Sequence, residues 1–184
     1  MAELVTLHPA RENAQALRSK RALVAALYQL MERDTYQDLT ITQICQEAEV
    51  TRQTFYRHFQ TKQDVLAYDF QACFQNHMAR YPDEGIAGNL THVFQDPPVD
   101  RNKLRLLKRH SLFFLLGEHM VDFLNQHTWQ YAFTPLLGTE RYQTYQERFI
   151  AATLLTIFSC WTDNDFAETP EELTALALCM LGGV

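Results

Sequence analysis

Two helices, each too short to stand alone, set the strongest constraint on how this chain folds. Residues 38–66 read DLTITQICQEAEVTRQTFYRHFQTKQDVL. The pattern predicts one short helix over 40–47, a turn of three or four residues, and a second short helix over 52–58 opened by Thr51 as cap. Isolated helices shorter than about 12 residues are marginal in water. The pair must therefore bury Ile41, Ile44, Cys45, Ala48, Val50 and Phe55 against longer helices on either side, an arrangement of helix-turn-helix type.

Those longer helices are legible. Leu17, Val24, Leu27 and Met31 recur at helical spacing between residues 12 and 33, with Leu23 and Leu30 widening the stripe. Thr61 can cap a helix over 62–80 with Val65, Leu66, Phe70, Phe74 and Met78 on its apolar side. Tyr81-Pro82 closes that helix, because the residue before proline is pushed out of the helical region. The rest predicts a weak helix over 83–95, an amphipathic one over 100–116 stopped at Gly117, and others over 118–131 and 139–162. The last, 170–181, has Thr169 as cap, proline at its first position and two acids at its positive end. Strand-like alternation is absent. The expectation is an all-α chain of nine helices, divided into a tail and helix-turn-helix domain over 1–61 and a helical effector-binding and dimerisation domain over 62–184.

The second short helix presents Arg52, Gln53 and Thr54 on its first turn, donors suited to base edges. Tyr56, Arg57 and Lys62 lie further along, within reach of backbone phosphates. Lys62 also sits on the first turn of a helix whose free amides favour an anion. The formal charge of -6 excludes a uniformly basic coat, but it is uneven. Residues 1–60 carry seven basic and seven acidic side chains, whereas 61–184 carry nine and fifteen. The basic row Arg101, Lys103, Arg105, Lys108, Arg109 reads as a solvated helix face.

Other chemistries find little footing. There is no GxSxG, Walker loop, HExxH or dinucleotide fingerprint, so no enzyme is expected. The seven histidines, at 8, 58, 77, 92, 110, 119 and 127, include no pair three or four apart, and no cysteine pair has CxxC spacing. Neither a metal nor another cofactor is expected. The cysteines at 45, 73, 160 and 179 fall on or near apolar faces and read as buried thiols. The longest largely apolar stretch, 150–161, has 12 residues. A membrane span needs about 20. With no signal-peptide pattern, the expected location is the cytoplasm.

The motif resembles the TetR/AcrR family of bacterial transcriptional regulators over residues 17–67, most closely at Thr40-Ile41, Ile44-Cys45, Ala48, Val50-Thr51-Arg52 and TFYRHF with Lys62 and Leu66. The sequence departs where the family commonly has glycine in the turn, here Glu49, and often alanine, here Cys45. The resemblance implies a DNA-facing set of Thr40, Thr51, Arg52, Gln53, Thr54, Tyr56, Arg57, His58 and Lys62, although His58 equally suits local packing at a helix end. It also implies a pseudo-palindromic double-stranded operator, a homodimer and a small-molecule effector of unknown identity, most simply one that releases a repressor.

Aromatic residues crowd the second half and serve equally as core or as pocket wall. The candidate effector wall is Phe70, Phe74, Phe113, Phe114, Trp129, Phe133 and Tyr142. Residues 139–162 and 170–181 carry more apolar surface than one inward stripe requires. Tyr145, Phe149, Ala152, Thr156, Ser159, Leu173, Leu176, Ala177 and Met180 are the candidate dimer interface. The competing reading is a helical homodimeric protein-interaction module without specific DNA binding, which would have no reason to keep Arg52, Gln53, Thr54, Tyr56 and Lys62 together.

Overall fold

The structure, a computed structural model, describes residues 14–81, 84–125 and 140–182, without the side chains of residues 118, 122–125 and 140–143. Among the described residues there are nine α-helices, one 3-10 turn and no strand. The chain divides into two compact units, Met1–Leu66 and Ala67–Val184.

In the first unit, α1 (Ala14–Arg33), the 3-10 turn (Tyr36–Asp38), α2 (Ile41–Glu47) and α3 (Arg52–His58) precede the start of α4 (Lys62–Arg80). Of the six residues expected to be buried, Ile44, Cys45 and Phe55 are, whereas Ile41, Ala48 and Val50 are half-buried. Ile44, Cys45, Phe55 and Phe59 are sequestered with Leu23, Leu27, Met31, Val65 and Leu66, and α1, α2 and α3 all pack on one another. At roughly 1.5–3 kcal/mol per buried large apolar side chain, this core provides what two seven-residue helices lack.

The second unit holds the rest of α4 with α5 (Gly85–Gln95), α6 (Arg101–Arg109), α7 (Leu115–Asn125), α8 (Glu140–Asp163) and α9 (Pro170–Met180). Here α8 packs against α6, α7 and α9, and α9 packs on α5. The core centres on Trp161, Phe94, Phe158, Leu90 and Leu107. Trp161 receives Phe166 edge-on at 5.0 Å and donates its indole N–H to Glu168 O at 3.1 Å.

Three helix ends share one device. After α2, α6 and α8, the residue past the cap takes a left-handed conformation: Glu49 (φ 53°), Ser111 (φ 57°) and Asp165 (φ 54°). The following amides, of Val50, Leu112 and Phe166, bond back to Cys45 O, Leu107 O and Trp161 O at 3.0, 2.7 and 2.8 Å. This is the Schellman closure, usually built with glycine. It corrects the predicted helix over 100–116, which stops at Arg109 because Ser111 turns the chain. Gly117 is not a stop. It lies inside α7, where a Cβ would stand 3.0 Å from Leu155 Cδ1, so its small size lets α7 approach α8.

Candidate nucleic-acid interface

The exposed surface of α3 is built from its first turn outward. Thr51 caps the helix by accepting from the Thr54 amide at 3.1 Å, and the two hydroxyls lie 3.0 Å apart. With Phe55 buried beneath, Arg52, Gln53, Tyr56 and Arg57 face solvent. The Arg52 guanidinium lies 5.8 Å from the Tyr56 ring centroid, with Nη2 3.4 Å from the phenol oxygen. That contact pre-orders a long cation that otherwise loses rotamer freedom on binding. Burial pushes the Cys45 thiol upward, with Arg52 opposing.

The other DNA-facing residues expected from sequence are placed differently. Thr40 is committed to a capping box: its hydroxyl accepts from the Gln43 amide at 3.2 Å, and its own amide donates to Gln43 Oε1 at 2.9 Å. The Thr-x-x-Gln spacing is itself a cap signature, unused in the sequence reading. Thr54 is half-buried with its hydroxyl against Thr51, and His58 is half-buried with its ring edge-on to Phe59.

Lys62 departs most from expectation. Its ammonium donates to Tyr36 O at 2.5 Å, Gln37 O at 2.8 Å and Leu39 O at 2.8 Å, and lies 4.6 Å from the Tyr36 ring centroid. Burial lowers its pKa, with Asp38 opposing. The two residues leading into α4 are also engaged: Gln60 N and Thr61 N both donate to Asp64 Oδ2 at 2.8 Å, and Asp64 N donates to Thr61 Oγ1 at 3.2 Å. Burial alone would raise the Asp64 pKa, but the bonds from the Thr61 and Gln60 amides and the Thr61 hydroxyl hold it below the usual range. Burial, followed by the Asp64 charge, pushes the Tyr36 phenol up to about 12.

In the second unit, Phe74 lines a pocket with Pro98, Val99, Leu104, Leu116, Met120, Leu155 and Phe158. Phe70 is buried, with the His119 ring edge-on at 5.7 Å. Phe113 is half-buried near Lys108, and Phe114 is exposed. Trp129 and Phe133 lie outside the described residues, as does the side chain of Tyr142.

The basic row on α6 is not simply solvated. Lys103 reaches Asp69 at 2.7 and 2.9 Å, Arg105 reaches Asp165 at 2.7 Å, and Lys108 reaches Asp163 at 2.8 Å and the Ser159 hydroxyl. The buried-thiol reading fails for two cysteines: Cys45 is buried and Cys73 half-buried, but Cys160 and Cys179 are exposed because each lies on the outer face of its helix.

On α8, Tyr145 (74% exposed), Phe149 (59%), Ala152 and Thr156 form an outward stripe, while Ser159 is half-buried. On α9, Leu176 (44%) and Met180 (52%) face outward, but Leu173 and Ala177 are buried in the chain's own core because α9 turns that side to α5.

Among the described residues, all helical, α2 and α3 form a helix-turn-helix, with α3 projecting a cationic, amide-bearing turn from a buried base. Comparison with known proteins agrees. Residues 23–68 match the model of bacterial regulatory proteins, tetR family. A 56-residue stretch is 30% identical to the HTH-type dhaKLM operon transcriptional activator DhaS of Lactococcus lactis subsp. lactis (strain IL1403), covering 30% of either chain. Among solved structures, a TetR transcriptional regulator from Streptococcus agalactiae 2603V superposes with a TM-score of 0.66 at 16% identity, covering 91% of this chain and 95% of that one. The fatty acid degradation regulator FadR from Bacillus halodurans gives 0.56 at 17%, covering 95% and 98%. Residues 23–68 thus match a tetR-family DNA-binding region, and the chain has the fold of solved TetR regulators. Among the described residues no helix is long and apolar enough to cross a membrane.

Proposed function

We propose that the protein is a homodimeric, operator-binding repressor whose grip on a pseudo-palindromic site is relieved by a small molecule. The observation that carries the reading is the exposed quartet Arg52, Gln53, Tyr56 and Arg57 on α3, held by Phe55 at 0% exposure. Gln53 offers the donor-acceptor pair that reads adenine in the major groove, and Arg52 the fork that reads guanine. Arg57 and Tyr56 meet phosphates.

Two heads are needed to read a two-fold site. The apolar stripe of α8 supports the pairing. Its threonine hydroxyls are turned back onto their own helix, Thr153 to Phe149 O at 2.9 Å and Thr156 to Ala152 O at 2.8 Å. The stripe thus shows methyl groups and rings, which solvent leaves unrewarded. Leu176 and Met180 extend it on α9.

The apolar wall around Phe74 supports an effector site. A ligand there would have to displace lining side chains, and it shifts operator affinity only by its differential affinity for two states of the protein. Because α4 begins at Lys62 and carries Phe74 further along, it is the element on which such a difference acts. The similarity to DhaS, named as an activator, favours activation as the second reading. That match spans 56 residues, 30% of either chain, and the sign of control is decided by experiment.

The test is selection of bound fragments from random duplex DNA, followed by a reporter carrying the selected site. An enriched inverted repeat is expected, with Gln53→Ala changing the preferred base at one position of each half-site and reporter output rising when the gene is deleted. No enriched repeat refutes the operator reading, and falling output on deletion refutes repression.

A further inference from the structure

We propose that Lys62 is a positioning residue of the DNA-binding head, a peg that sets the pose of α2 and α3, and not a ligand for operator phosphate. The proposal rests on the DNA-binding role of the head. An ammonium has three N–H donors and no more. All three have acceptors within the protein, the carbonyls of Tyr36, Gln37 and Leu39 at 2.5, 2.8 and 2.8 Å. The face of Tyr36, 4.6 Å away, adds a cation–π contact on one side. A phosphate could gain Lys62 only by stripping a carbonyl of a charge-assisted bond in a half-buried place.

The second reason to expect a phosphate here, the positive start of a helix, is weakened. Asp64 already places a carboxylate on the Gln60 and Thr61 amides. That carboxylate would repel a phosphate as well as block it. At the start of α4 the cation is therefore satisfied internally, and a carboxylate already stands at the amides that lead into the helix.

What Lys62 holds is the segment entering the helix-turn-helix. The three carbonyls lie along the 3-10 turn and the linker that follows α1. Leu39, the last of them, immediately precedes Thr40, the cap of α2. Fixing Leu39 O fixes where α2 starts, and α2 packs on α3, which carries Arg52, Gln53 and Tyr56. One ammonium thus ties the loop before the motif to the helix after it. Without it the motif keeps its apolar core but loses the bond that sets its angle to α4's first turn.

The test uses the full-length protein with Lys62→Ala and Lys62→Arg, with affinities corrected for the folded fraction of each. A phosphate ligand lost from both heads of a dimer would lower the slope of log affinity against log salt by about 1.8, roughly 0.9 per contact. It would also weaken operator and random DNA alike, and arginine would restore it. The peg predicts an unchanged slope and a fall of about tenfold in the ratio of operator to random affinity, the scale of one lost base contact. It also predicts no rescue by arginine, whose planar fork cannot converge on three carbonyls as a tetrahedral ammonium does. Amide resonances of Arg52–His58 should shift in Lys62→Ala without DNA. A slope reduced by nearly 2 overturns the proposal, as does an unchanged specificity ratio in the folded variant or an unmoved α3 spectrum. Wild-type protein that bound no duplex specifically would instead refute the role of the head, while the α3 spectrum would still decide whether Lys62 sets its pose.

Discussion

Glu49→Gly should stabilise the protein. Glu49 occupies the left-handed position of the Schellman closure that ends α2, with φ 53°. A non-glycine residue there costs about 1–2 kcal/mol. Glycine gives back about 0.4–1 kcal/mol through the greater freedom of its unfolded chain. The Glu49 side chain is exposed, so no packing is forfeited, and its negative charge sits at the unfavourable end of the helix dipole. The net gain is about 0.5–1 kcal/mol, or roughly 1–4 °C in Tm for a chain of this size. Urea titration of wild type, Glu49→Gly and Glu49→Ala separates the contributions, because alanine removes the charge and keeps the strain. Glycine should exceed alanine, with the Glu49 N–H to Gln46 O and Val50 N–H to Cys45 O bonds intact. A glycine variant no more stable than the alanine one would refute the strain argument.

Asp69→Ala should destabilise the second unit by about 3 kcal/mol, the low end for a broken buried pair, since it leaves the Lys103 ammonium without the carboxylate 2.7 Å away; Asp69→Leu with Lys103→Met should recover most of it in a thermal melt. Phe149→Arg or Leu176→Arg should convert a particle near twice 21.4 kDa into monomers by light scattering, with half-site binding weak; wild-type monomer at micromolar concentration would refute the interface. His77 is buried, and burial lowers its pKa below the ordinary 6.5, with Asp96 opposing and Arg80 and His92 lowering it further. The unfolded chain therefore binds the proton more readily, so stability should fall as pH drops below about 6.5. His77→Gln should flatten Tm between about pH 7.5 and 5.5, and an equally steep profile would place the titration elsewhere.

The parts legible in the sequence are those written in periodicity and caps. Ile44, Phe55 and Phe59 must be buried because seven-residue helices cannot persist otherwise, and Thr51 and Thr169 announce helix starts by a rule that acts within four residues. Helix ends were less legible because glycine was the expected stop. Ser111 and Asp165 carry no comparable mark, and their left-handed turns are held by Leu112 and Phe166 being drawn into the core behind them. Gly117 misleads for the converse reason: it is small for the sake of Leu155, a residue 38 positions away that periodicity within one helix cannot reveal. The same limit governs the site. The exposed set on α3 follows from one helix and its buried Phe55, so it could be read from local spacing. The fate of Lys62 depends on carbonyls 23 to 26 residues earlier, and backbone carbonyls leave no trace in side-chain identity. A motif names a cation at a helix start; only tertiary structure decides whether its three protons face a ligand or the protein itself.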